Sequence, residues 1–428
     1  MREVALLVDV TLDNNQGNGQ ELGGGESMQQ QQLLVGVDVG CHKHNVAIGG
    51  PSGIVEQFEI THDSHGFEYF FARVVTQARR QKMSDVVVGM EGTNGYARPL
   101  DQMIKAKGYS LLNINNLKLA RFKEIFASPA KTDRIDAQQI VTLMMMTPFM
   151  KQAKESLQQV PVIGEIEMQL KRISRRRRQL VQEKVILQNR MQADLQSVCP
   201  GFLDSFKQVD AIYVLRFLSF RSDIRKLAKL KKATILSIPG IGKATAAKLA
   251  RWQEKAIFGA EIPWVGPMIS EDAKRILELK EKIDSLEAHM KKLIEQSSLA
   301  NLIKSIPGFG IVCAAEISGE IGTIKRFDSE SGLAIYLGMA PLDNSSGKYK
   351  GTKSPRQVNK RAKAAMMVAM GHHIRKVAES KAYYERKRAE GKKYNQALRS
   401  LGRHLVRVIW SMVKNNRCYE CKREVKAA

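Results

Sequence analysis

Two short apolar runs, each closing on a carboxylate, constrain what the N-terminal part of this chain can fold into. The first is Leu33–Gly40 (LLVGVDVG), β-branched, with a lone acid at Asp38; the second is Asp85–Met90 (DVVVGM), followed at once by Glu91. Runs this short, rich in Val and Leu, are the pattern of strands buried in a sheet. Between them His44–Gly49 and Ile54–Thr61 predict two further strands around a Gly-Pro-Ser-Gly turn, and Phe67–Arg79 predicts a helix. Tyr96–Lys107 and Leu117–Phe126 predict helices on either side of a strand at Ser110–Asn115.

Three antiparallel strands followed by alternating helix and strand is the order of an α/β RNase H-like domain. In that order Asp38 lies within or at the end of the first strand, and Glu91 follows the strand that pairs beside it. Lys131-Thr132-Asp133-Arg134-Ile135-Asp136 then opens a helix, with Thr132 or Asp133 as its N-cap. Asp133 and Asp136 are three apart, so both carboxylates project from one face. Any one of these acids alone is ordinary, a turn former or a solvated helix residue. Four within one site repel unless cations neutralise them. Hard oxygen ligands select Mg²⁺, with Mn²⁺ as the alternative. Two such ions, about 3.5–4 Å apart, activate an attacking oxygen and stabilise a leaving oxygen on phosphorus.

The charge points to the same partner. Lys and Arg number 68 against 43 Asp and Glu, a net +25. Residues 341–428 alone hold 23 Lys/Arg and 6 Asp/Glu. Charge concentrated in this way fits a polyanion, nucleic acid above all. No apolar run approaches the roughly 20 residues of a membrane span. Met1–Val10 contains Arg2, Glu3 and Asp9 and lacks a long apolar core, so no signal peptide is expected. The expected location is cytoplasmic, with no membrane partner. Five scattered cysteines imply no disulfide framework. Cys418 and Cys421 form one CxxC, half of what a tetrahedral zinc site needs.

Residues 11–32 are rich in Asn, Gln and Gly, and the stretch 1–32 is expected to be a disordered lead-in. Residues 151–230 read as mostly helical and basic, with a run at Arg175–Arg178 and an imperfect heptad seam. A cleaner seam runs through Ile276, Leu279, Ile283, Leu286, Met290 and Leu293. Both predict packing or dimerisation surfaces. Ser237–Ala250 (SIPGIGKATAAKLA) and Ser305–Ser318 (SIPGFGIVCAAEIS) form an internal repeat with a helix-hairpin-helix signature. Such turns hold DNA phosphates without reading sequence. Gly308 and Gly310 of the second copy are the candidates for that contact, against the alternative of a structural corner.

The order GVDVG, GMEGT, KTDRIDA resembles the DEDD transposases of bacterial insertion sequences, the recombinases associated with a bridge RNA. The segment from Ile303 through LAIYLGMAP and Ser345-Ser346-Gly347 resembles that family's C-terminal transposase domain. The resemblance implies a RuvC-like domain over 33–150 in which Asp38, Glu91, Asp133 and Asp136 are the D, E, D and D. It implies a helical, coiled-coil region over 151–300 and a mainly α domain with a helix-hairpin-helix over 301–416, before a basic tail at 417–428. It also implies a serine nucleophile, carried here onto Ser346 with Ser345 as the fallback, acting beside the carboxylates of another protomer in a homodimer or homotetramer. Donor and target DNA are the implied substrates, a structured guide RNA the implied partner, and the bacterial nucleoid the implied place of action. Lys348, Lys350 and Arg361 are candidates for phosphate contact. Two other readings use the same residues. A nuclease or Holliday-junction resolvase of this fold employs water in place of Ser346. A DNA-binding scaffold employs the hairpins and coils with an inactive carboxylate site.

Overall fold

The computed structural model describes residues 32–50, 52–91, 96–124, 133–149, 157–206, 208–347, 349–353, 355 and 358–420. The expected lead-in up to residue 31 lies outside the described residues. So do Lys131, Thr132, Lys348, Arg356, Cys421 and the rest of the basic tail, and the side chains of Asp133 and Lys350. The described residues fall into two compact units, one ending at Val160 and one starting at Pro161.

The first unit is built on a six-stranded sheet. Its strands are β1 (Gln32–Val39), β2 (Lys43–Gly50), β3 (Gly53–Thr61), β4 (Asp85–Glu91), β5 (Ser110–Ile114) and β6 (Leu157–Gln159), in the spatial order β3-β2-β1-β4-β5-β6. The first three pair antiparallel, while β1, β4 and β5 run parallel. This mixed α/β order is consistent with the RNase H-like expectation. The edge strand β6, antiparallel to β5, falls where helix was expected. Three residues cannot show a periodicity, so only the pairing reveals the strand.

Four helices cover the sheet: α1 (Ser64–Arg80), α2 (Arg98–Ala106), α3 (Asn116–Lys123) and α4 (Asp133–Met146). Helix α1 is capped by Asp63, whose carboxylate accepts from the Gly66 amide at 2.8 Å. Strand side chains alternate between faces. Leu33, Val35 and Val37 are fully buried with Phe67, Phe70 and Val74 of α1 and Leu100 and Ile104 of α2. The alternate positions of β1, including Gly36 and Asp38, face α4.

Glycines admit α4 to that face. A Cβ at Gly36 would lie 2.6 Å from the Ala137 carbonyl oxygen, and one at Gly89 would lie 3.2 Å from Ile140 Cγ2. Gly36 and Gly89 are partners in the β1–β4 ladder, and Gly49 on β2 meets Val141. The sheet thus presents a trough floored by backbone, and the helix lies in it. Gly36→Val should destabilise the unit by about 1–3 kcal/mol, because the obstructing atom is a backbone carbonyl that cannot swing aside. Urea unfolding of the purified protein measures this.

The second unit is helical. A long pair, α5 (Glu165–Val198) and α10 (Ile262–Gln296), frames it. Between them in sequence lie α6 (Ile212–Leu218), α7 (Ile224–Leu227), α8 (Lys232–Leu236) and α9 (Lys243–Lys255). After them come α11 (Ser298–Ser305), α12 (Ile311–Ile321), α13 (Glu330–Tyr336), the hairpin β7 (Leu342–Ser346) and β8 (Tyr349–Lys353), and then α14 (Lys360–His373), α15 (Ala378–Ala389) and α16 (Tyr394–Lys414).

The heptad seam of α10 is buried within the chain. Leu279 and Ile283 pack on Leu180 of α5, flanked by Val181, Leu187 and Leu286. One end of the pair joins the C-terminal core: Leu170, Met290 and Leu293 pack with Leu302, Ile303, Ala314, Met366 and Val406. The boundary expected near residue 300 therefore falls inside a single core. The other end, with Met191, Leu195 and Ile276, holds α6–α9 around Phe202, Phe217 and Trp252. No described helix is long and apolar enough to cross a membrane.

The basic run on α5 mostly faces acids of its own unit. Arg175 donates to both oxygens of Glu320 at 2.6 and 2.8 Å, Arg178 to Glu316 at 2.9 Å, and Arg177 to Glu287 at 2.7 Å. Arg176 alone of the four is exposed.

Candidate active site

Register places the first two acids. In the parallel β1–β4 ladder Val37 pairs with Met90, so Asp38 and Glu91 are the next residues on adjoining strands. Each follows a trough glycine by two positions, Gly36 and Gly89, and so points to the α4 face. Helix α4 runs antiparallel to β1: Val141 and Met145 pack near Leu34, and Ala137 sits over Gly36. Its N-terminal turn therefore lies toward Asp38. Asp133 is the first residue of that turn and Asp136 ends it. Arg134 fixes the turn laterally, its Nε donating to Gln57 Oε1 of β3 at 2.8 Å.

Asp38, Glu91 and Asp136 are each half-buried. The Lys123 ammonium of α3 lies 2.8 Å from the Asp136 carboxylate. No sequence pattern marked Lys123, which is brought in by the packing of α3 beside α4. Among the described residues no three acidic, imidazole or thiol side chains are gathered tightly enough to grip a metal ion. That set leaves out the Asp133 side chain. Asp38, Glu91 and Asp136 offer carboxylate oxygens only, the donor type of a hard divalent cation, and a lysine ammonium already lies against Asp136.

Ser345 and Ser346 end β7 in the second unit, where they pair with Lys350 and Tyr349 across a turn at Gly347. Both serines are exposed, so the SSG segment is a hairpin tip and not an unstructured loop. Among the described residues neither hydroxyl is hydrogen-bonded to a base. His373 is fully buried, sharing contacts with the Pro307 carbonyl at 2.6 Å and Ser380 Oγ at 2.9 Å. Burial holds its imidazole below the usual range despite the Pro307 contact.

Arg361 is exposed on the first turn of α14. Asn359 caps that turn, its Oδ1 accepting from the Arg361 and Ala362 amides at 3.1 and 3.0 Å. Its Nδ2 donates to Glu320 Oε2 at 2.7 Å, so the Arg175–Glu320 pair anchors the start of the basic helix. Gly308 is closed in: a Cβ there would lie 2.5 Å from the His373 amide nitrogen. Gly310 is exposed, with open space around it.

A family model described as a transposase, of the DEDD type of IS110, matches residues 35–200. A second, described as the transposase IS116/IS110/IS902 family, matches residues 300–385. The chain is 24% identical to the insertion element IS116 uncharacterized 44.8 kDa protein of Streptomyces clavuligerus, over 92% of this chain and 97% of that one. It is 26% identical to the insertion element IS900 uncharacterized 42 kDa protein of Mycobacterium paratuberculosis, over 91% and 97%. A transposase for insertion sequence element IS1111A, from Coxiella burnetii, is 20% identical over 46% of this chain and 58% of that one. The two models and the full-length relatives define an insertion-sequence transposase. The chain belongs to the IS110-type DEDD transposases. Its class of activity is the cutting and rejoining of DNA.

Proposed function

We propose that this transposase moves an insertion sequence by cutting and rejoining DNA through Ser346, with Asp38, Glu91, Asp133 and Asp136 as its metal-binding carboxylates in an RNase H-like domain. The observation that carries this reading is the placement of Asp38 and Glu91 on adjoining parallel strands, with the start of α4 laid across the same face. Mg²⁺, with Mn²⁺ as the alternative, would be held by these four residues. When bound, the cation supplies positive charge to the attacking and leaving oxygens at phosphorus.

The Ser346 hydroxyl attacks a backbone phosphorus. An Oγ–P bond forms, the bond from phosphorus to one deoxyribose oxygen breaks, and the proton lost from Oγ is balanced by one gained on the leaving oxygen. The DNA is left joined to the protein as a phosphoserine ester. Attack by a deoxyribose hydroxyl of the new partner strand reverses the step and frees the serine. Exposure of Ser346 at a hairpin tip suits a nucleophile that must reach a duplex. Lys348, Lys350, Arg361 and the open turn at Gly310 supply phosphate contacts nearby in sequence. A structured guide RNA and a dimer or tetramer complete the reading, supported by the family and by the net charge of +25.

The test is a covalent adduct. Wild-type protein incubated with its element ends and a divalent metal should give a protein–DNA species that survives denaturing electrophoresis, and Ser346→Ala should give none. Cleavage that persists in Ser346→Ala without any adduct in the wild type would instead indicate water as the nucleophile. Lys123→Met, which removes the ammonium competing for Asp136, should tighten Mn²⁺ binding about fivefold, the scale of a surface ion pair. Titration of free Mn²⁺ by electron paramagnetic resonance reads that change without any turnover.

A further inference from the structure

The first hairpin repeat is left unused by the reading above, and it differs from the second in what its second helix faces. The turns are alike, with Gly240 at φ +91° and Gly308 at φ +93°. At the 68-residue offset of the repeat, Lys243, Lys248 and Arg251 correspond to Ile311, Glu316 and Gly319. In the second copy these positions turn inward. Ile311 packs on the C-terminal core, Glu316 is buried against Arg178, and a Cβ at Gly319 would lie 2.5 Å from the Lys171 amide nitrogen. In the first copy Lys243, Lys248 and Arg251 are all exposed, as are the small Ala244 and Ala247 between them. Helix α9 buries only Ala246, Leu249 and Trp252.

The charge there is uncompensated. Residues 216–255 contain 11 Lys/Arg and 2 Asp/Glu, and one of those acids, Asp223, is paired with Arg225. Elsewhere in this unit Arg175, Arg177, Arg178, Arg190 and Arg275 each meet an acid. Lys231, Lys232, Lys243, Lys248 and Arg251 have no acidic partner among the described residues. They stand on a rigid base. Trp252 meets Phe202 and Phe217 edge-on, with ring centroids 5.1 and 5.9 Å apart, and Arg216 ties the hairpin turn to α6 by donating to the Pro239 carbonyl at 3.0 Å.

We infer that the face formed by α8, the first hairpin turn and α9 docks on the sugar–phosphate backbone of duplex DNA, independently of sequence. Cations interleaved with small residues suit a phosphate ridge. Helix α9 shows no aromatic side chain to solvent, Trp252 being buried, so it lacks the stacking platform that an unpaired strand would use. The face is a DNA contact additional to the catalytic residues and rests on no metal and on no serine chemistry.

The experiment measures binding of the full-length protein to a labelled duplex of arbitrary sequence, about 30 base pairs long, in EDTA across about 50–200 mM salt. Lys243→Glu/Lys248→Glu should weaken binding about tenfold and lower the log–log salt slope by about 2. Lys282→Glu/Lys291→Glu makes the same charge change on exposed positions of α10 and should stay within about twofold of wild type. Unchanged thermal unfolding of both pairs establishes that the fold is intact. Equal losses in the two pairs, or no loss in the first, would refute the docking face. A loss confined to a structured RNA probe would assign the face to RNA and overturn the duplex assignment. Because no cleavage is involved, none of these outcomes depends on whether Ser346 or the carboxylates act as proposed.

Discussion

Asp38→Asn should cut metal-dependent DNA cleavage by about 10²–10³-fold, the scale of losing one preorganised electrostatic contact at a reacting phosphate. Asparagine keeps the size of the side chain and removes its charge. The strand should be undisturbed, because Asp38 is half-buried at the end of β1 while the core of that strand is Leu33, Val35 and Val37. Mn²⁺ binding should weaken in parallel. Duplex binding in EDTA should hold or improve slightly, since one negative charge has gone. Glu91→Gln should behave alike, as its position on β4 mirrors that of Asp38 on β1. Cleavage rates under single-turnover conditions, with binding measured separately, divide the two effects. Wild-type cleavage in both variants would leave Asp38 and Glu91 without a catalytic role and overturn the carboxylate assignment.

Arg175→Met should destabilise the second unit by about 3 kcal/mol at neutral pH. This is the low end for breaking a buried ion pair from one side, because the guanidinium is itself a third exposed. The cost falls on Glu320, whose side chain is 1% exposed. Burial alone would push the Glu320 carboxyl up, but the hydrogen bonds from Arg175 and Asn359 and the charges of Arg175 and Lys171 hold it below the usual range. In the wild type this contribution is present above the ordinary carboxylate range and is lost as pH falls through the depressed value. In the variant burial is opposed only by the Asn359 hydrogen bond and the Lys171 charge, so the carboxyl rises and protonation relieves the strain. The gap between variant and wild type should shrink as pH is lowered from neutral toward about 5. Urea unfolding at both pH values measures it, and Arg175→Met/Glu320→Gln should recover most of the loss. A small, pH-independent difference would mean that water already reaches Glu320. Because Asn359 links Glu320 to the cap of α14, Arg175→Met should also loosen the turn that carries Lys360 and Arg361.

Much of the first unit was legible because its signals are local. Val and Leu runs with terminal acids gave β1 and β4, and the Gly-Pro-Ser-Gly turn gave the β2–β3 hairpin. The D, E, D, D positions followed from that order. What pulls α4 onto the acids was not legible: Gly36, Gly49 and Gly89 lie on three strands far apart in sequence and form a trough only once the ladders align. Lys123 escaped notice for the same reason. In the second unit the α10 seam was plain from its 3-4 spacing, yet its partner was not, since α5 carries an irregular seam. The Arg175–Arg178 run shows the limit most clearly. Composition presents it as free positive charge, while its acceptors Glu287, Glu316 and Glu320 lie more than 100 residues away. Only the folded chain tells a charge that is answered from one that is not.

The long α5–α10 pair is also a ruler. Gly319 of α12 rests on Lys171 near one end of α5, and Gly259 rests on Ser197 and Val198 at the other. At 1.5 Å per residue those points are roughly 40 Å apart. That is close to one turn of B-form duplex, about 34–36 Å. The pair thus sets the separation of the two cores that carry the first and second hairpin repeats. Removing one heptad from each of α5 and α10 would shorten the rod by about 10 Å and leave its seam in register.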